Sequence, residues 1–299
     1  MFVAAHRHHG LTAICRTLDV NVASVRSALA RPVTARQLAD EALKPMIRQL
    51  WEDNYRVYGA RKIRAALRRE HGLVVDRARV TRLMRELDIR GATRSKSTVT
   101  TRPDKSSPRA PDLVKRAFRA DRPNELWVCD FTYVPTWSGF VYVAFITDVY
   151  SRYIVGWRAA ASMTTPLVTE ALDMAVWNRR TRLLTGLIAH SDAGAQYTSI
   201  AYTERLAEIG ARPSIGTVAD SYDNALAETT NGLYKAECVY GPDTTGWADV
   251  NELEHATLDW VYWFNEQRLH SHCGHVPPAE FEAAFYAAQQ ADPVGVGNQ

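Results

Sequence analysis

The sequence predicts an α/β protein, a mixed five-stranded sheet flanked by helices and preceded by small all-helical units. Three observations predict it. Apolar residues in the first third recur at helical spacing, whereas a stretch rich in Val, Phe, Tyr, Trp and Thr begins near Glu125. That stretch is interrupted by Pro135-Thr136-Trp137-Ser138-Gly139, a hairpin signal. After Thr164, helical and strand-like segments alternate, the pattern of parallel crossovers.

The helical elements come first. Leu11–Leu18, a turn at Asp19-Val20-Asn21 and Val22–Leu29 read as helix, turn, helix, closed by Pro32, within residues 1–35. Residues 36–91 hold a second helix-turn-helix-like unit of Pro45–Asp53, Ala60–His71 and Asp76–Leu87. In its last helix Val80, Leu83, Met84 and Leu87 form one core-facing stripe, with Asp76 as N-cap and Gly91 beyond the end. Arg77, Arg79, Arg82 and Arg85 lie off that stripe. Arg61, Lys62, Arg64, Arg68 and Arg69 likewise surround Ile63, Ala66 and Leu67. Gly91–Arg122 carries 9 basic and 3 acidic residues with three prolines. It reads as a basic linker, residues 92–122, with a short helix around Asp112–Phe118.

The strands follow in residues 123–288. Glu125–Val134, Phe140–Tyr150 and Tyr153–Ala160 read as three antiparallel strands, then Thr164–Arg180 as a helix. Leu187–His190 and Arg212–Ile215 are short buried strands around a helix at Ser199–Ile209. Asp220–Cys238 and Asp249–Arg268 are long helices, and residues 289–299 a tail.

Charge divides where the fold class does. The net charge is +3, but residues 1–122 carry 27 basic and 12 acidic side chains, and the remaining residues 9 and 21. A strongly basic half joined to an acidic one points to nucleic acid on one side and different chemistry on the other. A chain 46% hydrophobic and 10% aromatic builds a real core, which excludes wholesale disorder. No window approaches the ~18 unbroken apolar residues of a membrane span, and Met1–Gly10 lacks the apolar run of a secretion signal. Cys15, Cys129, Cys238 and Cys273 form no CxxC pair, which suits free thiols in a reducing cytosol. The expected location is cytoplasmic, with DNA and no membrane as partner. Arg61, Lys62, Arg79 and Arg82 are the candidate DNA contacts, the alternative being a solvated basic face.

Three carboxylates stand out in the acidic half. Asp130 interrupts a strand whose two faces, Trp127, Cys129, Phe131, Tyr133 and Leu126, Val128, Thr132, Val134, are both apolar. Such a strand is central, and a carboxylate there is costly unless paired or metal-bound. A structural salt bridge is the alternative. Asp192 follows a short apolar strand, where open α/β sheets place ligand-binding groups, although Asp-Ala-Gly is also a common turn. On Asp220–Cys238, Asn224, Glu228, Asn231 and Lys235 fall within roughly 60° of one another. Tyr222, Leu226, Thr229, Leu233 and Ala236 occupy the opposite, packing side. The row is otherwise a solvated polar face. Together the three suit magnesium, which takes oxygen ligands. Two such ions ~3.5–4 Å apart serve phosphodiester displacement. Beside a basic half, this points to phosphoryl transfer on a polynucleotide.

Trp127-Val128-Cys129-Asp130-Phe131-Thr132-Tyr133-Val134, His190-Ser191-Asp192 with Gln196-Tyr197, and Asp223-Asn224-Ala225-Leu226-Ala227-Glu228 with Lys235 resemble the DDE motif of insertion-sequence transposases. Thirty-five residues separate Asp192 from Glu228, the spacing of the retroviral-integrase-like subgroup. The chain resembles the OrfB-type, second-frame transposases of insertion-sequence family three. Tyr58-Gly59-Ala60-Arg61 with Ile63 and Leu67 resembles their helix-turn-helix; Phe264-Asn265, Arg268, His270 and Pro277-Pro278 resemble their C-terminal signature.

The resemblance implies an RNase H-like catalytic core with Asp130, Asp192 and Glu228 as catalytic ligands of two Mg2+ or Mn2+ ions. It puts Lys235, with Asn224 beside the triad, near DNA at the cut. It implies strand cleavage at element ends followed by direct attack of the 3′-OH on another phosphodiester. The partners implied are terminal repeats and target DNA, further copies of the chain on DNA, and an upstream-frame product as fusion partner. The alternatives are a catalytically silent DNA-binding regulator and a phage or retroelement integrase. Ala193 and Ala195 depart from an Arg and a Ser common in the family, and Val25-Arg26 from an aromatic pair. Zinc is not expected. His270, His272, Cys273 and His275 lie within six residues, and His6, His8 and His9 with Cys15 lack a second cysteine. Asp148 and Asp173 are also acidic and near strands or helices; Asp148, with Ser151 and Arg152 just beyond, reads as a turn or ion pair.

Overall fold

The computed structural model describes residues 2–291 except 31, 94–111, 115–117, 181, 183, 193, 195, 217–224 and 243. A short helix α1 (Phe2–Ala5) precedes α2 (Leu11–Thr17), which buries Ile14 and Cys15, and α3 (Val22–Ala30). Helix α4 (Ala35–Glu52) starts ten residues before the expected Pro45 and carries that proline inside it. The cause is a capping box. Thr34 Oγ1 accepts from Gln37 N, and Gln37 Oε1 accepts from Thr34 N at 2.8 Å. Leu43, Ile47 and Leu50 then bury one stripe that holds the helix together across Pro45. Helices α5 (Ala60–His71) and α6 (Arg77–Glu86) follow, α6 capped by Asp76, whose Oδ2 accepts from Ala78 N at 2.7 Å. The backbones at Gly59 and Gly91 touch; a Cβ on Gly91 would lie 2.5 Å from Gly59 N, so no side chain fits there.

Five strands form one sheet in the order β3-β2-β1-β4-β5. They are β1 (Leu126–Thr136), β2 (Gly139–Asp148), β3 (Ile154–Ala160), β4 (Ile188–Ser191) and β5 (Arg212–Ile215). The first three are antiparallel, and β4 and β5 run parallel to β1. The β1–β2 turn is tighter than expected. Pro135 and Thr136 stay in the strand, Thr136 paired with Gly139, and leave Trp137-Ser138 at the tip.

The doubly apolar β1 is the central strand, covered on both faces. Trp127 and Cys129 pack under α7 (Thr165–Asn178) and α8 (Ile200–Glu208), with Leu167, Leu172 and Leu206. On the other face lie α9 (Ala225–Tyr234), continued by a π-helical turn at Lys235–Val239, and α10 (Val250–Glu266). Helix α11 (Pro278–Ala291) closes the described chain and runs into the segment expected to be tail.

The helical half is not a tethered module. Ile47, Tyr58, Ile63 and Leu83 share one apolar core with Phe145, Tyr234, Trp260 and Phe264. Leu269 N donates to Tyr58 Oη at 2.8 Å, and Trp263 Nε1 to Asn54 Oδ1 at 3.3 Å. Most of the linker, including much of the expected Asp112–Phe118 helix, lies outside the described residues. Asp112–Val114 are not helical; Leu113 N donates to Ser214 Oγ at 2.9 Å, and Val114 packs with Leu126 and Val128. No described helix is long and apolar enough to cross a membrane.

Candidate active site

Register places the first two carboxylates side by side. The parallel β1–β4 ladder ends at Cys129 opposite Ser191, and Asp130 and Asp192 are the next residues of each chain segment. They therefore stand together at the carboxyl end of two adjacent parallel strands, where a sheet of this kind binds ligands. Helix α9 crosses the same end. Its Asn231 Nδ2 donates to Asp130 Oδ2 at 2.9 Å, and its Thr230 hydroxyl meets that of Thr147 at 3.3 Å. Glu228 lies in the first turn of α9, exposed, three residues before Asn231.

The packed stripe of α9 differs from expectation. Ala227, Thr230, Asn231 and Tyr234 are buried, while Leu226, Thr229 and Leu233 are only half-buried. The buried stripe lies about a third of a turn from the one in the sequence reading. Asn231 is thereby pressed onto Asp130 instead of facing solvent, and Glu228 and Lys235 flank the buried stripe on Asp130's side. Asn224 lies outside the described residues.

The electrostatics follow from burial and convergence. The Asp130 carboxyl is pushed up to about 8, first by burial, then by the charge of Asp192 and also by Glu228. The N–H of Phe131, 2.9 Å from Oδ1, and the Asn231 amide oppose this. Asp192 is raised by burial, against the Gly194 N–H at 3.0 Å and His190. Burial lowers the Lys235 ammonium while Asp130 pulls it back up, and its Nζ sits 4.9 Å from the Tyr133 ring centroid.

The donor chemistry fits a hard divalent cation: carboxylate and amide oxygens, without thiolate or imidazole at the focus. Two buried polar atoms beside it, Asn231 Oδ1 and the Tyr197 hydroxyl, have no hydrogen-bond partner. The Tyr197 phenol is raised far above its ordinary value, first by burial, with Asp130 and Asp192 among the charges contributing. As they stand, no three His, Cys, Asp or Glu side chains among the described residues are drawn together closely enough to hold an ion.

The basic candidates are redistributed. Arg61 is exposed. Lys62 is turned inward, 4.0 Å from Glu237 and 4.9 Å from the Tyr58 ring centroid. Arg79 and Arg82 each bind Asp40 of α4 at 2.6 Å, and Arg82 also binds Glu86. Arg79 and Arg82 thus have carboxylate partners and Lys62 has one at 4.0 Å, which a linear sequence does not display.

His190 is structural in its setting: buried, its Nδ1 2.9 Å from Ser214 Oγ across β4 and β5. Asp148 accepts backbone N–H groups of Asn124, Tyr150 and Ser151, as a turn clamp would. Asp173 pairs with Arg205 at 2.7 Å. Cys273 Sγ donates to Ser151 O, and His272 Nε2 meets Tyr150 O. Asn231 is the functional candidate whose role the sequence reading missed. Its position three residues after Glu228 was the signal that could have found it.

The mixed five-stranded sheet flanked by helices is an RNase H-like fold, and its match to the integrase core makes this chain a nucleotidyl-transfer enzyme of the integrase and transposase class. Integrase core domain models match residues 120–221 and 209–278, and an HTH-like domain model matches residues 37–97. A protein of Mycobacterium tuberculosis assigned as the transposase of insertion sequence element IS986/IS6110 is 49% identical over 268 residues, covering 89% of this chain and 95% of that one. The transposase of element IS629 from Shigella sonnei is 49% identical over 85% of this chain and 83% of its own. That of element IS904 from Lactococcus lactis is 31% identical over 84% and 98%. The chain belongs to the IS3 family of insertion-sequence transposases. Among solved structures, a simian T-cell lymphotropic virus intasome chain superposes at a TM-score of 0.46 and 14% identity over 79% of this chain and 74% of its own.

Proposed function

We propose that this transposase uses Asp130, Asp192 and Glu228 to hold two divalent cations, magnesium or manganese, at the phosphodiester it cuts. One observation carries the reading: two carboxylates adjacent in register at the end of β1 and β4, Asp130 raised by burial and by its neighbours, with Glu228 in the first turn of α9 among the charges that raise it. When bound, the cations supply positive charge to the attacking and leaving oxygens of in-line displacement.

The chain's own residues orient that chemistry. Asn231 fixes one Asp130 oxygen and so sets which faces the site. Lys235 offers an ammonium to a phosphate beside the scissile bond. Water attacks first, and the bond to the 3′ oxygen breaks to leave a 3′-OH. That hydroxyl then attacks a phosphodiester of the target, and the new P–O bond forms as the target's own 3′ oxygen leaves. Exposed Arg61, with Arg64 and Arg68 of the same helix, holds DNA phosphates. The protein works on paired element ends as a homo-oligomer, with an upstream-frame product as fusion partner.

Glu228→Gln tests the reading. The variant should bind a duplex carrying the element's terminal repeat with wild-type affinity and cut it not at all. Wild-type cutting would remove Glu228 from the site.

A further inference from the structure

Helix α5 divides its basic residues between two directions. At 100° per residue, Lys62 and Arg69 fall on one line, and Arg61, Arg64 and Arg68 on another roughly 120° away. The second line is exposed. The first docks on the C-terminal part of the chain, Lys62 at Glu237 and Arg69 at Glu280, with Arg69 Nη1 to Glu280 Oε1 at 3.1 Å.

Glu237 belongs to the π-helical turn that ends α9, a device found often at functional sites. It is buried and already satisfied by a two-pronged bond from buried Arg268, at 2.8 and 2.6 Å. Arg268 also lies 3.3 Å from His270 Nε2. A second cation here is expensive. Burial and Arg268 push Lys62 down to about 7, with Glu237 opposing. An apolar residue would pack between Tyr58 and this turn without that cost. A lysine in a costly place, set against the turn that ends the helix carrying Glu228, is a candidate for function.

We propose that Lys62 and Glu237 are positioning residues through which the DNA-binding helix α5 sets the pose of α9, and with it Glu228 and Lys235. Lys62 then serves the cut through Glu237 and touches no phosphate. This rests on the reading of Glu228 given above. DNA held by the exposed arginines of α5 is thereby coupled to the site by a contact two residues beyond Lys235.

The test uses the full chain and a duplex bearing the element's terminal repeat. Affinity is measured across salt concentrations, and single-turnover cutting at saturating DNA. Lys62→Met should bind within about twofold of wild type with the same salt slope, and cut about tenfold slower or worse. Glu237→Gln should do the same, and the double variant should be no slower than the slower single one. A Lys62→Met protein whose salt slope falls by about one, with wild-type cutting at saturation, makes Lys62 a phosphate ligand and overturns the proposal. So does a variant unchanged in both. If Lys62→Met does not fold, Lys62→Gln, with a polar end in the same space, gives the same readings. Asp130→Asn alongside separates the two claims: if it cuts, the carboxylate assignment fails, whatever Lys62 does.

Discussion

Asn231 Nδ2 lies 2.9 Å from Asp130 Oδ2 and joins α9 to the central strand across 101 residues of sequence. This bond seats α9, with Glu228 in its first turn, against the strand that carries Asp130. Asp130 thus accepts at Oδ2 from Asn231 and at Oδ1 from Phe131 N, 2.9 Å away, with Asp192 among the charges that raise it.

Asn231→Leu should therefore weaken cutting without weakening DNA binding. A hydrogen bond to a charged acceptor contributes about 1.5–3 kcal/mol, so a fall of roughly tenfold to a hundredfold in single-turnover rate is expected. An unchanged rate would mean that the bond holds the fold and not the site.

Cation binding should depend on pH with a defined sign. Asp130 titrates near 8 without metal, so through neutral pH a divalent ion displaces its proton. Manganese affinity, measured by calorimetry, should rise about tenfold per pH unit up to about pH 8 and then level off. The raised Asp192 steepens the lower part. Affinity flat across this range contradicts the assignment.

Salt dependence should separate exposed arginines from paired ones. Replacing Arg61, Arg64 and Arg68 together by Ala should reduce the slope of log affinity against log salt by about one for each phosphate left without its arginine. Replacing Arg79 or Arg82, both held on Asp40, should mainly lower thermal stability. The reverse pattern would place α6, and not α5, on DNA.

Gly156→Ala tests the packing of α7. The added Cβ would stand 2.2 Å from Ala171 O and 2.9 Å from Ala175 Cβ, both on a helix seated on β3. Overpacking of this kind costs about 1–3 kcal/mol or more, read as a lower melting temperature. An unchanged melt would mean that α7 moves freely.

Much of this was legible in sequence because it depends on local pattern. The doubly apolar strand around Asp130 told its central place, and the change of period after residue 122 told where the sheet begins. Position past a short apolar strand told the setting of Asp192. What was hidden depends on tertiary partners. Lys62, Arg79 and Arg82 look like any basic helix face until Glu237 and Asp40 arrive from elsewhere in the chain. On α9 the apolar pattern points to packing through Leu226 and Leu233, about a third of a turn from the stripe that is buried. The sheet instead takes the stripe of Ala227, Thr230 and Tyr234 and buries a polar Asn231 because Asp130 needs a donor. The early start of α4 was readable in Thr34 and Gln37, but Pro45 drew attention as a natural first residue. The charge split suggested two separable halves, yet Tyr58 and Trp263 sit in one core. Residues 123–299 alone would expose an apolar face, so DNA affinity is best assigned in the full chain.

The central claim, that Asp130 is a catalytic cation ligand, is tested most directly by single-turnover cutting of a terminal-repeat duplex by full-length Asp130→Asn in magnesium, with DNA affinity measured on the same samples. The account predicts wild-type affinity and no cut strand. Cutting at the wild-type rate would contradict it.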